Sequence, residues 1–132
     1  MENNLSLVAQ DNNEIFCSFS PDTVEGKKAL YKAITNPDNK ITDMVGKEIA
    51  IRDVVVATCQ FVDEETGETS PGNRTILIDT NGISYGCSST GVYNALRNLI
   101  AIFGSPTWTD GLVVRVGQIS KGVNRIVTLE IV

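Results

Sequence analysis

The stretch Lys47–Val62, KEIAIRDVVVATCQFV, decides the fold. It is rich in Val, Ile and Thr and lacks both Gly and Pro, so it predicts one long β-strand. Ile49 and Ile51 follow the strand period of two, but Val54-Val55-Val56 breaks it. We therefore expect the strand to bend at a bulge, which would let it contribute to two sides of a barrel.

Two elements are predicted before this strand. The run Ile15–Phe19 predicts a short β-strand. Thr23 is a helix N-cap, and Lys27–Ile34 continues as a helix. The helix should end at Asn36-Pro37, because the residue before a proline avoids the helical conformation.

Turn signals after the long strand separate four more strands. Asp63–Gly72 is a polar hairpin loop, Asn81-Gly82 is a strong short hairpin signal, and Lys121–Val123 forms a tight last turn. The predicted strands are Arg74–Asp79, Ile83–Cys87, Leu112–Ser120 and Asn124–Val132.

A second helix is predicted between the third and fourth of the five strands that begin at Lys47. Ser88-Ser89-Thr90 caps its start, and Gly104 with Pro106 ends it. Its apolar positions recur at helical spacing on one face, at Val92, Ala95, Leu96, Leu99 and Phe103.

This order of elements is that of an OB barrel. The expected fold is mainly β: a five-stranded OB-fold barrel over residues 47–132, with a helix between strands three and four. Residues 1–46 form an N-terminal extension, a strand plus a helix, packed on the barrel. The 132 residues suit one compact domain overall.

Composition excludes several functional classes. No apolar run approaches the roughly 18 residues that cross a bilayer, so no membrane partner is expected. The chain has no histidine, and Cys17, Cys59 and Cys87 lack metal-ligand spacing, which predicts no metal, no cofactor and reduced thiols. Without histidine the commonest general base is missing, and no carboxylate pair replaces it, so an enzyme is not expected.

The formal net charge of −5 is unevenly distributed. The loop DEETGE at 63–68 carries four acids, and the remainder of 47–132 has five acids against seven bases. Because phosphate binding depends on local cations more than on net charge, the acidic total does not exclude a nucleic-acid partner.

Several motifs resemble the single-stranded DNA-binding proteins of small protein-primed phages of Gram-positive hosts. These are the Phe19 strand before Thr23-Val24-Glu25-Gly26, Gly46-x-x-Ile49, the acidic hairpin loop, Asn81–Tyr85, the Ser/Thr-capped helix, Val114-Arg115-Val116-x-Gln118 and Ser120–Asn124. The resemblance implies an OB-fold protein of the host cytoplasm that coats and protects displaced DNA during replication. Replication proteins of the phage would be further partners. The Gly104–Asp110 connection departs from the family pattern.

Binding DNA without sequence preference requires cations for phosphates and flat side chains for stacking. In an OB barrel these lie on strands two and three and the adjoining loops. The candidate binding residues are Arg52, Phe61, Arg74, Tyr85, Trp108, Arg115, Lys121 and Arg125.

Structural roles remain open beside the binding roles. Tyr85 either stacks on a base or fills the core, Trp108 either stacks or covers the core, and Arg52 is either a DNA contact or a surface arginine beside Asp53. An alternative function is an OB-fold protein-interaction module or a phage structural protein without nucleic-acid binding.

Overall fold

The strand predicted at Lys47–Val62 forms the centre of one curled β-sheet in a computed structural model of the chain. The structure describes residues 15–19, 22–122 and 124–132, and the side chains at 59–62, 70, 71, 121, 124 and 125 lie outside that description. The described protein is mainly β, with two α-helices. In chain order its elements are β1 (Ile15–Cys17), α1 (Val24–Thr35), β2 (Asn39–Lys40), a 3-10 helix (Ile41–Met44), β3 (Glu48–Val62), β4 (Thr69–Asp79), β5 (Ser84–Cys87), α2 (Thr90–Phe103), β6 (Leu112–Lys121) and β7 (Asn124–Ile131).

The sheet is arranged around β3. Its strand order is β2-β5-β4-β3-β6-β7, with β1 added beside β3. One edge of β3 pairs with β6 over residues 48–51 and with β1 over residues 55–57, while β4 pairs along the other edge. The register with β4 shifts between Ile51 and Asp53, which confirms the predicted bulge and places Arg52 at it.

The strands and helices predicted from sequence are present, with shifted boundaries. The strand predicted from Arg74 begins earlier, at Thr69, because the loop at 63–68 closes tightly: the Asp63 N–H donates to the Glu68 carbonyl at 2.9 Å. Strand β2 and the 3-10 helix were not predicted. Only two residues form β2, and they pair in parallel with β5, a long-range contact that leaves no local signal.

The sheet is a half-barrel in the described residues, because β5 pairs with β2 and not with β7. The start of α2 lies against β7. Ser89 Oγ donates to the Val127 carbonyl at 3.2 Å. A Cβ added at Gly91 would lie 2.3 Å from that same oxygen, so only glycine permits this approach of helix to strand.

Apolar side chains cover both faces of the central strands. Val54 belongs to the main core with α2, whereas Val55 belongs to a second cluster with Ala33 of α1. Val56 packs again on the main core. The triple valine that breaks the period of two is therefore explained by a strand that is covered on both sides.

Helix α2 packs its predicted face into the main core, with one exception. Val92, Leu96 and Leu99 are buried, and Ala95 packs partly on them. The prediction for Phe103 is wrong, since it is 48% exposed: the last turn of α2 continues beyond the core. None of the helices in the described ranges is long and apolar enough to span a bilayer.

Candidate nucleic-acid interface

Helix α1 covers the middle of the sheet face that carries Ile76 and Ile78 of β4. Its partners there are Val55, Ile76 and Ile78, which are all buried. The strand face expected to bind DNA is therefore partly occupied by the chain's own helix. One open part of this face lies at the C-terminal end of α1.

A cleft of about 750 Å³ lies at that end of α1. This volume is within the usual range of roughly 300–1,000 Å³ for ligand sites. The cleft is lined by residues 35–40, Thr42, Asp43, Arg74 and residues 86–89. Its cationic side chains are Lys40 and Arg74, and most of the other lining side chains are hydroxyls and amides.

Arg74 is fixed at the wall of this cleft. Its Nε donates to the Ile34 carbonyl at 2.9 Å. Ile34 is in the last turn of α1, where carbonyl oxygens lack helical partners and carry partial negative charge. One of the five guanidinium N–H groups is thus used to hold the side chain, and among the described residues no other hydrogen bond of this guanidinium is found.

The opposite wall is held by Asp38. Its Oδ1 accepts from Lys32 Nζ at 2.7 Å, and its Oδ2 accepts from the Ser84 N–H at 3.0 Å. Both bonds lower the pKa of Asp38 below its ordinary value, and the bond from Lys32 has the larger effect. Pro37 lies so close over β5 that a Cβ at Gly86 would be 2.8 Å from its Cγ. The carboxylate is therefore compensated, and the wall is fastened to β5.

Arg52 lies outside this cleft. Its Nε donates to Asp53 Oδ2 at 2.9 Å, in agreement with the alternative of an arginine paired to its neighbour. It lines a smaller cavity of about 250 Å³ between α1 and the sheet, together with Lys32 and Phe19. Its side chain keeps partial exposure.

Sequence reasoning missed the role of Asp53. This carboxylate is 4% exposed and accepts from Ser18 Oγ at 2.9 Å and from Thr107 Oγ1. It thereby links the end of β1, the bulge of β3 and the loop before β6. An acid inside an apolar strand was the available signal, because a buried charge requires partners.

The structure corrects the placement of Tyr85 among the DNA contacts. The side chain is 7% exposed and belongs to the main core, and its hydroxyl donates to Asp79 Oδ2 at 2.9 Å. Burial, with the bond to Asp79, raises the pKa of Tyr85 to about 12. Of the two roles left open by the sequence, Tyr85 fills the core, since its face of β5 is turned inward.

Trp108 covers an edge of the main core. It is half-buried against that core, its Nε1 donates to the Gly104 carbonyl at 3.2 Å, and its backbone N–H donates to the Arg52 carbonyl at 2.8 Å. These contacts favour the covering role that the sequence left open for it.

Arg115 lies on the other half of the sheet, between acidic neighbours. It forms an exposed ion pair with Glu48 at 3.2 Å and stands opposite Glu130 in the register of β6 and β7. The side chains of Phe61, Lys121 and Arg125 lie outside the described residues. Their predicted contacts with DNA remain predictions, and Arg74 is the member of the predicted set found in the large cleft.

The environment of the described cysteines disfavours their thiolate forms. Cys17 and Cys87 are free and half-buried, and burial raises the pKa of both thiols. The Cys59 side chain lies outside the description. Within the described residues, no three metal-ligating side chains come together.

The curled β-sheet has an open cleft in which the cations Arg74 and Lys40 lie with the carboxylates Asp38 and Asp43, so the charge of the cleft does not by itself define a class of protein. Comparison with protein families defines the group more closely: a family model described as phage single-stranded DNA-binding protein, of the phi29 type, matches residues 9–132. The chain belongs to this family, and its partner is single-stranded DNA in phage replication. No curated protein and no solved structure matches the chain.

Proposed function

We propose that the chain is an OB-fold protein that binds single-stranded DNA without sequence preference in the cleft between Arg74 and Lys40. In this proposal β3, β4, β5, β6 and β7 are the five barrel strands, and α2 is the helix between the third and fourth. Strand β1 and α1 are the added N-terminal elements. The observation that carries the proposal is Arg74, which is held on β4 at the wall of the cleft of about 750 Å³.

The cleft offers DNA the contacts that every sequence shares. Arg74 and Lys40 supply positive charge for phosphates, while the Ser88 hydroxyl and the Asn36 amide are polar partners for phosphate or sugar oxygens. Contacts to phosphate and sugar fix position and carry no sequence information. Binding of this kind coats DNA irrespective of its bases, as protection of displaced strands requires.

In the proposed role the protein covers the DNA and catalyses no reaction on it. Bound protein excludes nucleases and complementary DNA from the sugar–phosphate chain, and this needs no reacting group. The place of action would be the host cytoplasm, where the phage DNA replicates. Arg52, Phe61, Trp108, Lys121 and Arg125 are the predicted contacts for DNA that extends beyond the cleft, whereas the charge of Arg115 is compensated by Glu48.

Hydrogen exchange with and without an oligo(dT) of about 30 nucleotides tests the placement. We expect slower exchange of the amides at residues 36–40 and 86–89, with little change around Glu48 and Arg115. A matched duplex should bind more weakly. Protection confined to β6 and β7 would overturn the placement in the cleft, whereas absence of any binding at about 50 mM salt would overturn the function, since electrostatic binding is strongest at low salt.

A further inference from the structure

A second groove, of about 200 Å³, lies between α2 and the β1–β3 part of the sheet. Its lining includes Phe16 of β1, Val56 of β3, and Tyr93 and Arg97 of α2. Val56 packs on the main-core side of β3, whereas Val55 packs under α1 on the other side. The groove and the Arg74 cleft therefore lie on opposite faces of the sheet.

The groove combines an exposed ring with a guanidinium placed over another ring. The ring of Phe16, which lines the groove, is 45% exposed. The guanidinium of Arg97 lies 5.8 Å from the centroid of the Tyr93 ring. Rings and guanidinium planes are the groups on which unpaired bases stack in single-stranded nucleic-acid sites.

The charge of this groove also suits a nucleic acid. Among the described residues that line it, Arg97 is charged and none is acidic. The other described clefts each include a carboxylate: Asp38 and Asp43 beside Arg74, Asp53 beside Arg52, and Asp110 beside Trp108. A phosphate entering the groove of Phe16 and Arg97 thus meets a cation without a competing anion on its walls.

We propose that this groove is a second contact site for single-stranded DNA, which receives one unpaired base against Phe16 and the Arg97–Tyr93 pair. Arg97 would also contact the adjoining phosphate. The inference rests on the proposed function for its ligand. In the sheet register Arg74 stands opposite Ala57 of β3, and Ala57 stands opposite Ile15 of β1, so the β1 edge lies two strand spacings, about 10 Å, from Arg74. DNA that occupies the Arg74 cleft would reach the groove by passing over this edge. An apolar peptide would use the ring but not the combination of stacking plane and cation.

Oligo(dT) of increasing length tests the inference with Phe16→Ala and Arg97→Gln. Oligomers of about four nucleotides, near the lower limit for one OB domain, should bind both variants as they bind the wild type. On longer oligomers Phe16→Ala should weaken binding about 5- to 150-fold, the equivalent of one lost base stack. Arg97→Gln should reduce the salt slope by about 0.7. Ile102→Ala, which removes an exposed apolar side chain of α2 outside the groove, is the matched control and should change neither.

The outcomes separate this inference from the proposed function. Unchanged affinity of both variants at every length, with wild-type binding intact, overturns the groove and leaves the function standing. Equal loss at every length, including the shortest, supports the groove as a DNA contact and overturns the cleft as the primary site. Abasic spacers in place of the far nucleotides should abolish the effect of Phe16→Ala. An effect that persists on the abasic DNA overturns base stacking. Phe16→Tyr, which keeps the ring, should bind long oligomers like the wild type, and thermal unfolding of Phe16→Ala recognises a loss that comes from misfolding.

Discussion

The double variant Arg74→Gln/Lys40→Gln tests the cleft most directly. Both side chains line it, and glutamine removes the charge while an amide can still donate toward the Ile34 carbonyl in place of Arg74 Nε. For single strands each neutralised phosphate contributes about −0.7 to the slope of log K against log salt. We expect the slope to become less steep by about 1.4 if each cation contacts one phosphate.

The same relation gives the loss of affinity. At about 0.1 M salt each lost contact lowers K roughly fivefold, so the double variant should bind roughly 25-fold more weakly, a loss of about 1.9 kcal/mol. The assay is fluorescence anisotropy of labelled oligo(dT) at several salt concentrations. Thermal unfolding of each variant separates a lost contact from a loosened end of α1.

Lys28→Gln is the matched control for this variant. Lys28 is an exposed lysine of α1 that lines none of the four clefts named above. Lys28→Gln therefore removes one positive charge, as each substitution of the double variant does, but leaves the cleft unchanged. Its salt slope should stay within error of the wild type. If the double variant and Lys28→Gln behave alike, the cations of the cleft act only through net charge, and the reasoning is refuted.

Three further predictions concern the core and the other half of the sheet. Leu96→Ala should destabilise the fold by about 2–5 kcal/mol, because Leu96 is 1% exposed and its loss leaves a cavity. Because Leu96 also lines the groove beside Phe16, unchanged affinity of the folded fraction is expected only for oligomers of about four nucleotides, which stay in the cleft. A shift of less than about 1 kcal/mol in denaturant unfolding would contradict the packing. Tyr85→Phe should cost about 1–3 kcal/mol at neutral pH by leaving Asp79 short of a donor. The pKa of Tyr85 is raised to about 12 in the folded protein, so the protonated hydroxyl contributes fully to stability below the unfolded pKa of about 10, and this contribution is lost as pH rises through 12. The free energy of unfolding should therefore fall less steeply with pH above about 10 in Tyr85→Phe than in the wild type. Arg115→Gln should leave the salt slope unchanged, because Glu48 already compensates this charge; a slope change of about 0.7 would return Arg115 to the interface.

The sequence by itself determined the elements. Hydrophobic period, turn residues and caps are local signals, and they located β3, the turn at Asn81-Gly82 and the start of α2, where Ser89 accepts from the Val92 N–H. They indicated an irregularity in β3 but not its position, because the register shifts at Arg52 and not at the three valines. They also indicated which cations could meet phosphate, Arg74 among them. These features depend on neighbours a few residues apart, so the order of residues is sufficient to predict them.

Tertiary structure alone decided which of those residues remain available to a ligand. Two contacts join positions that are distant in sequence: the ion pair of Arg115 with Glu48 and the hydrogen bonds to Asp53. The burial of Tyr85 depends instead on which face of the sheet is covered. Strand β2 and the position of α1 over β4 are of the same kind, and together they form the cleft beside Arg74. A period of two specifies alternation but not which side meets solvent, because that choice is made by packing against distant segments of the chain.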